Sequence, residues 1–368
     1  MKLCQIYNGA SAYREPIYML IDKEFDTDWV FGSSLGDIKL MDTSKLHGMV
    51  TMVKNVSLFS GKAYWQTGVI KQLFKKEYDK YLLLGDERCL STWVFLFLSV
   101  LLPKKKIFLW SHGAYGKEGK IKHLLQRIYW SFADGAALYG KYAKDVMNKS
   151  GFDTSNYYVI HNSLNYNRQL ELRNSGLSSS IYQAHFGNDN PVLIFIGRLT
   201  KVKKLDMLVD AISLLKKDGD DYNLVFVGDG EESTHLKDKV HELDLDSQVW
   251  FYGACYDERT NAELIYNAEI CVAPGNVGLT AIHSLVFGTP VISHNNFAWQ
   301  MPEFEAIHVG STGDFFEYQN VESLKQTIRD WHIRHGSDRN AVREKCYHEI
   351  DTQWTPEFQI EVLRKMLR

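Results

Sequence analysis

From Val192 onward the chain alternates short apolar runs with amphipathic stretches, and this alternation limits the available folds more than any other feature. Apolar runs fall at 192–196, 223–227, 248–252, 270–273, 291–293 and 306–309. Helical periodicity fills the gaps, around 204–217, 232–243, 258–267, 279–287 and 321–335. Strand then helix, repeated, predicts an α/β domain with a parallel, doubly wound sheet, because parallel neighbours need a crossover between them. Four of the predicted strands end in glycine turns: Gly197, Gly228 with Gly230, Gly253, and Gly275 with Gly278. In a parallel sheet these ends share one edge, and open α/β sheets bind ligands there.

The densest of these turns is Pro274-Gly275-Asn276-Val277-Gly278, which leads into a helix. Leu279, Ile282, Leu285 and Val286 form its buried stripe, while Thr280, His283 and Ser284 fall on the opposite face. Gly275 and Gly278 are predicted to let backbone approach a ligand, and the helix start favours an anion such as phosphate. Arg198, directly after a strand, and Lys203, at the start of the next helix, are placed to converge on that anion. Lys201 and Lys204 read as solvated loop charges. An ordinary strand–helix–strand unit explains the 274–292 window alone equally well, so the surrounding turns carry the argument.

The first half is less regular. Strands are predicted at 2–7, 29–32, 81–85, 107–110, 136–139 and 157–160. Residues 62–80 read as an amphipathic helix with a basic face, suited to covering a sheet or resting on anionic lipid. Asn8-Gly9 ends the first strand, with Glu15 at the start of the next helix. Ser111-His112-Gly113 forms a loop at a strand end. Asp26-Thr27-Asp28 has the spacing of a metal motif, but acidic residues before a strand are commonplace, and no metal site is expected. A polar stretch at 166–190 reads as a linker between an N-terminal domain (1–165) and a C-terminal domain (191–351). A last helix, about 352–368, is predicted to pack back on the first domain. Two facing Rossmann-like domains follow.

Charge is divided unevenly. Residues 1–165 carry 22 Lys and Arg against 15 Asp and Glu, whereas the remainder carries 20 against 30. The basic excess peaks between Lys54 and Arg127, a field that attracts anionic substrates or membrane. No basic-aromatic recognition motif points to nucleic acid. The five cysteines are scattered, without a Cys-x-x-Cys pair, which suits reduced thiols. No signal peptide or spanning segment is visible, so a cytoplasmic protein, peripheral at the inner membrane face, is expected.

Gly-Arg-Leu-x-x-x-Lys, Val-Gly-Asp-Gly, Val-x-Phe-x-Gly and Pro-Gly-x-x-Gly-Leu with Gly-Thr-Pro-Val-Ile, in that order, resemble the retaining GT-B glycosyltransferases of the group 1 type. The likeness is close over about 190–330 and looser before that. Tyr13-Arg14-Glu15-Pro16 resembles the opening of the bacterial envelope-polysaccharide members. The resemblance implies a nucleotide diphosphate sugar as substrate, no cofactor, and transfer of a hexose with retention to a glycan or polyprenyl-diphosphate-linked acceptor. It implies that Arg198 and Lys203 bind the diphosphate. Gly197, Gly228, Gly253, Asn276, Gly278, Leu279, Thr280 and His283 would line the donor site. His112 would contact the donor sugar near the reacting carbon, and Asn8, Gly9, Arg14 and Glu15 would stand on the acceptor side. His283 replaces the family's usual ribose-binding glutamate, and Gly275-Asn276 replaces the glutamate that contacts the donor sugar. A nucleotide-sugar 2-epimerase, or a degenerate glycan- or membrane-binding protein, remains as an alternative.

Overall fold

The computed structural model describes residues 2–33 and 38–368. They divide into two compact units, one running to Asn165 and completed by Thr355–Arg368, the other Tyr166–Trp354.

The first unit contains β1 (Leu3–Tyr7), β2 (Thr27–Gly32), β3 (Val50–Val53), β4 (Asn55–Leu58), β5 (Ala63–Gln66), β6 (Lys80–Leu84), β7 (Lys106–Ser111), β8 (Gly135–Leu138) and β9 (Tyr157–Val159). Seven strands form one parallel sheet in the order β3-β2-β1-β6-β7-β8-β9, while β4 and β5 pair as a separate hairpin. All of β1 is buried, as a central strand covered on both faces requires. The chain's aromatic richness is spent here: Trp29 stacks on Phe31 with centroids 5.5 Å apart, and Tyr18 meets Trp29 edge-on at 5.3 Å.

The last helix, Pro356–Met366, begins at Thr355, whose hydroxyl accepts from the Phe358 N–H. Its Ile360, Leu363 and Met366, one helical stripe, enter the core formed by Leu3, Tyr18 and Trp110. Gln359 donates to the His161 carbonyl at 2.8 Å and accepts from the Ser163 hydroxyl at 2.7 Å. Arg364 holds Glu24 through a bidentate pair.

Three expectations in the first half are corrected. Residues 62–80 are not one helix: they hold β5 and a five-residue helix, Val69–Leu73, separated by Gly68 at φ +78°. That left-handed residue ends any continuous helical period, and the residues before it, β5, pair with β4 as a hairpin. Asp28 lies in β2 rather than a loop, buried against Lys2 at 2.9 Å and the Tyr78 hydroxyl at 2.8 Å. Residues 166–190 are not a linker. They contain helices Tyr166–Arg173 and Ile181–Phe186, anchored to the second unit by the Tyr182 hydroxyl on the Leu264 carbonyl and by Arg173 on Asp351. Their inward contacts rest on few apolar residues, so no periodic signal emerges.

The second unit is a six-stranded parallel sheet of β10 (Val192–Ile196), β11 (Asn223–Val227), β12 (Val249–Gly253), β13 (Ile270–Ala273), β14 (Val291–His294) and β15 (Gly313–Phe316). The order is β12-β11-β10-β13-β14-β15, with crossover helices between. One predicted strand moves. Ala306 closes a 3-10 turn, Pro302–Ala306, residues 307–309 come after it outside the named strands, and the edge strand is β15 instead. It opens on Gly313, where a Cβ would lie 1.9 Å from the Val291 carbonyl oxygen. A glycine forced by that close approach disguised the strand. Among the described residues no helix is long and apolar enough to cross a membrane.

Candidate functional site

Two sets of polar groups stand out, one in each unit. In the second, the carboxyl ends of β10, β11 and β13 carry the glycine turns, and hydrogen bonds lock these turns to one another. Gly197 N–H donates to the Val227 carbonyl at 2.9 Å, Gly228 N–H to the Gly253 carbonyl at 2.8 Å, and Gly275 N–H to the Lys203 carbonyl at 2.9 Å. Several glycines are needed for this contact alone. A Cβ on Gly228 would lie 1.9 Å from the Gly197 oxygen, and one on Gly275 would lie 2.1 Å from the Val202 oxygen. Gly275 was expected to admit a ligand, but the chain's own backbone fills that space. Gly253, at φ +90°, faces open room instead, while a Cβ on Gly278, at φ +59°, would make ordinary contact with Lys203 Nζ and the Met301 side chain at 3.8 Å.

The packed turns fix Lys203. Its ammonium donates to the Asn276 carbonyl at 2.7 Å and to the Asn276 side-chain oxygen at 2.9 Å. Burial drives its pKa down to about 8; Glu303, itself buried, opposes this, and Arg198 adds to it. Lys203 therefore sits as a costly cation, 3.8 Å from where a Gly278 side chain would begin. Arg198 is exposed beside it, and no hydrogen bond or ion pair engages its guanidinium among the described residues. Gln300 braces the turn by accepting from the Val277 N–H at 2.9 Å and donating to Ser293 at 2.8 Å.

The helix after this turn is short, Thr280–Leu285. Thr280 is inward: its hydroxyl donates to the Ile196 carbonyl at 2.8 Å, tying β10 to the helix start. The N–H groups of Gly278, Leu279 and Thr280 precede the first intrahelical bonds. His283 points Nε2 at Glu258, 3.1 Å away, and Gln169 donates to the same carboxylate oxygen at 2.8 Å. Burial works against a charged Glu258, but the His283 and Gln169 contacts outweigh it and hold the carboxyl below its ordinary range. With the Nε2 proton facing that carboxylate, Nδ1 is the ring's acceptor position. Glu258 lies 25 positions from His283, so no local pattern announced it.

In the first unit, His112, Asn8, Gly9 and Arg14 line one cavity of about 350 Å³. Glu15 does not reach it; that carboxylate pairs with Lys45 at 2.5 Å. His112 has its pKa pushed down to about 4, first by burial and then by Arg14, so it is neutral across the physiological range. Its ring lies 4.7 Å from Tyr139, and its Nδ1 has no hydrogen-bond partner. Arg14 donates to the Tyr139 hydroxyl at 2.6 Å and lies 4.4 Å from the Trp110 ring and 4.5 Å from the Tyr7 ring. Tyr139 was not foreseen, since it joins the site only through the β7–β8 pairing. Among the described residues no group of three His, Cys, Asp or Glu side chains gathers as metal ligands do.

Comparison with known proteins now bears on these sites. The family model described as Glycosyl transferases group 1 matches residues 181–348, the span that carries the glycine turns, Arg198, Lys203 and His283. Over residues 181–348 the chain is similar to the group 1 glycosyl transferases. A GDP-mannose-dependent alpha-(1-6)-phosphatidylinositol dimannoside mannosyltransferase of Mycobacterium tuberculosis is 35% identical over 104 residues, 27% of this chain and 26% of its own length. The alpha-monoglucosyldiacylglycerol synthase of Streptococcus pneumoniae is 31% identical over 108 residues, 28% of this chain and 24% of that enzyme. The chain thus spans about a quarter of the length of these curated relatives. The fold likeness extends further. Anabaena Alr3699/HepE in complex with UDP superposes over 100% of this chain and 99% of its own, with TM-score 0.75 and 15% identity. Both units together make the GT-B fold.

Proposed function

We propose that the chain is a hexosyltransferase: the second unit binds a nucleotide diphosphate sugar and the first unit supplies the acceptor side. The observation that carries this is the meeting of Lys203, Arg198 and the N–H groups of 278–280 at one strand edge. Breaking the anomeric C–O bond leaves negative charge on the diphosphate, and preorganised cations and N–H donors stabilise that charge. Nδ1 of His283 is set to accept from a ribose hydroxyl, the service a glutamate performs in the family. In a retaining, front-face step the acceptor oxygen bonds the anomeric carbon as the phosphate oxygen leaves, and that oxygen takes the acceptor proton. Neutral His112 offers a hydrogen bond to a sugar hydroxyl. These roles need neither a bound metal nor a cofactor. UDP in the Anabaena complex and GDP-mannose in the mycobacterial enzyme's name support a nucleotide-sugar donor.

The acceptor is proposed to be a glycan or a lipid-linked oligosaccharide of the cell envelope, met at an anionic membrane surface. Helix Lys120–Ser131 supports this. It turns Gln126, Tyr129 and Trp130 inward but leaves Ile121, Leu124, Leu125 and Ile128 exposed at perfect helical spacing. Phe97, exposed, touches Phe132 and extends the apolar face, and Lys120, Lys122 and Arg127 border it. A thermal-shift panel of UDP, GDP, ADP and their hexose conjugates identifies the donor. Incubation of that donor with lipid extract then reads transfer by mass spectrometry. Stabilisation by one nucleotide family and a hexose-extended product are expected. Epimerised donor without acceptor, or no nucleotide binding, contradicts the proposal.

A further inference from the structure

Arg14 is a buried cation without an anion. Its side chain comes from the turn after β1, and only about 5% of the residue is exposed. One guanidinium nitrogen donates to Tyr139, while Nε has no acceptor. The groups whose ionisation would bear most on it are four phenols, Tyr139, Tyr18, Tyr7 and Tyr13, and no carboxylate stands among them. The surrounding rings offer their faces, which softens the cost of burial but supplies no counter-charge.

The carboxylates on the cavity wall are all engaged elsewhere. Asp86 is held by Arg88 through two hydrogen bonds. Glu87 accepts from Gln126 and Trp130, and burial raises its pKa. Glu118 accepts from the N–H groups of Tyr115 and Gly116. Lys122 also faces the cavity, and no ion pair engages it among the described residues.

We infer that the first-unit cavity binds an oxyanion, a phosphate or a sugar carboxylate carried by the acceptor, with Arg14 as its buried counter-charge and neutral His112 as a neighbouring hydrogen-bonding group. This rests on the glycosyltransferase reading only for calling the ligand an acceptor. The anion site itself stands on the first unit's geometry. It would make acceptors bearing a charged group within a sugar's length of the reacting hydroxyl the preferred class.

The test is side-chain NMR of protein labelled with nitrogen-15 at arginine, in a Lys203→Met background that removes the buried cation of the second unit. The Arg14 Nε signal is assigned by its loss in Arg14→Lys and its displacement in Tyr139→Phe. Inorganic phosphate, glucuronate and neutral glucose are titrated separately. A saturable shift of the Arg14 signal with phosphate, glucuronate or both, and none with glucose, is expected, and which anion acts names the source. Calorimetric titration of the same anion should show Arg14→Met binding it ~10-fold or more weakly than its parent. If neither anion moves the signal in folded protein, Arg14 is only a brace for Tyr139 and the inference is overturned. UDP binding by wild type in the same buffer shows separately whether the donor reading survives.

Discussion

Replacing Lys203 by methionine separates what this residue does for binding from what it does for folding. A pKa lowered from 10.5 to about 8, at about 1.4 kcal/mol for each pH unit, means the fold disfavours the charged lysine by roughly 3 kcal/mol. Methionine keeps most of the volume and removes that penalty, but leaves the Asn276 oxygens without their donor, at ~1–3 kcal/mol. Folding stability at pH 7 should therefore stay level or rise, by at most roughly 3 kcal/mol. The native pKa lies below the unfolded one, so the unfolded chain binds more protons between pH 8 and 10.5, and wild type should gain stability relative to the variant across that window. Function should move the other way. Losing one preorganised charge at a leaving diphosphate costs ~2.7–4 kcal/mol, or ~100- to 1,000-fold in kcat. Nucleotide affinity in wild type should fall as pH rises past 8, and in the variant it should not. Urea unfolding at several pH values, paired with calorimetry of the nucleotide diphosphate, reads both arms. A variant that loses more than ~2 kcal/mol of stability yet binds nucleotide like wild type would make Lys203 a structural tether for Asn276, and the reasoning would be refuted.

Gly228→Ala should lower stability by ~3 kcal/mol or more in thermal unfolding, since φ is +148° and the added carbon meets the Gly197 oxygen at 1.9 Å. Glu258→Gln should leave the fold intact while raising KM for the donor several-fold, because His283 loses the carboxylate that sets its tautomer. No pH-rate limb between 5 and 8 should belong to His112, whose pKa is about 4, and His112→Ala should leave the rest of the profile unchanged while lowering kcat. Leu124→Asp with Leu125→Asp should abolish co-sedimentation with anionic vesicles without shifting Tm, as both side chains are already exposed.

Much of the second unit was legible because its buried strands are continuous aliphatic runs and its helices keep one stripe each. β10 (Val-Leu-Ile-Phe-Ile) and β11 (Asn-Leu-Val-Phe-Val) leave little choice. β15, Gly-Asp-Phe-Phe at an edge, carries no such run, so only its neighbour reveals it. Helix Lys120–Ser131 escaped for the opposite reason: its apolar stripe faces outward, so the usual link between periodicity and core misleads. At the candidate site, local motifs single out Lys203 and His283, whereas Thr280, read as lying on the helix's polar face, turns its hydroxyl inward to the Ile196 carbonyl. Glu258, Gln300 and Tyr139 were not legible, because tertiary packing alone brings them there. The glycines were read as ligand-facing, yet Gly228 and Gly275 serve backbone packing between turns.

A crystal structure with the nucleotide diphosphate selected by the thermal-shift panel tests the central claim most directly. The account predicts phosphate oxygens within hydrogen-bonding distance of Lys203 Nζ and of the N–H groups of 278–280, with Arg198 swung onto them. A nucleotide lodged elsewhere, with Lys203 still donating only to Asn276, would contradict it.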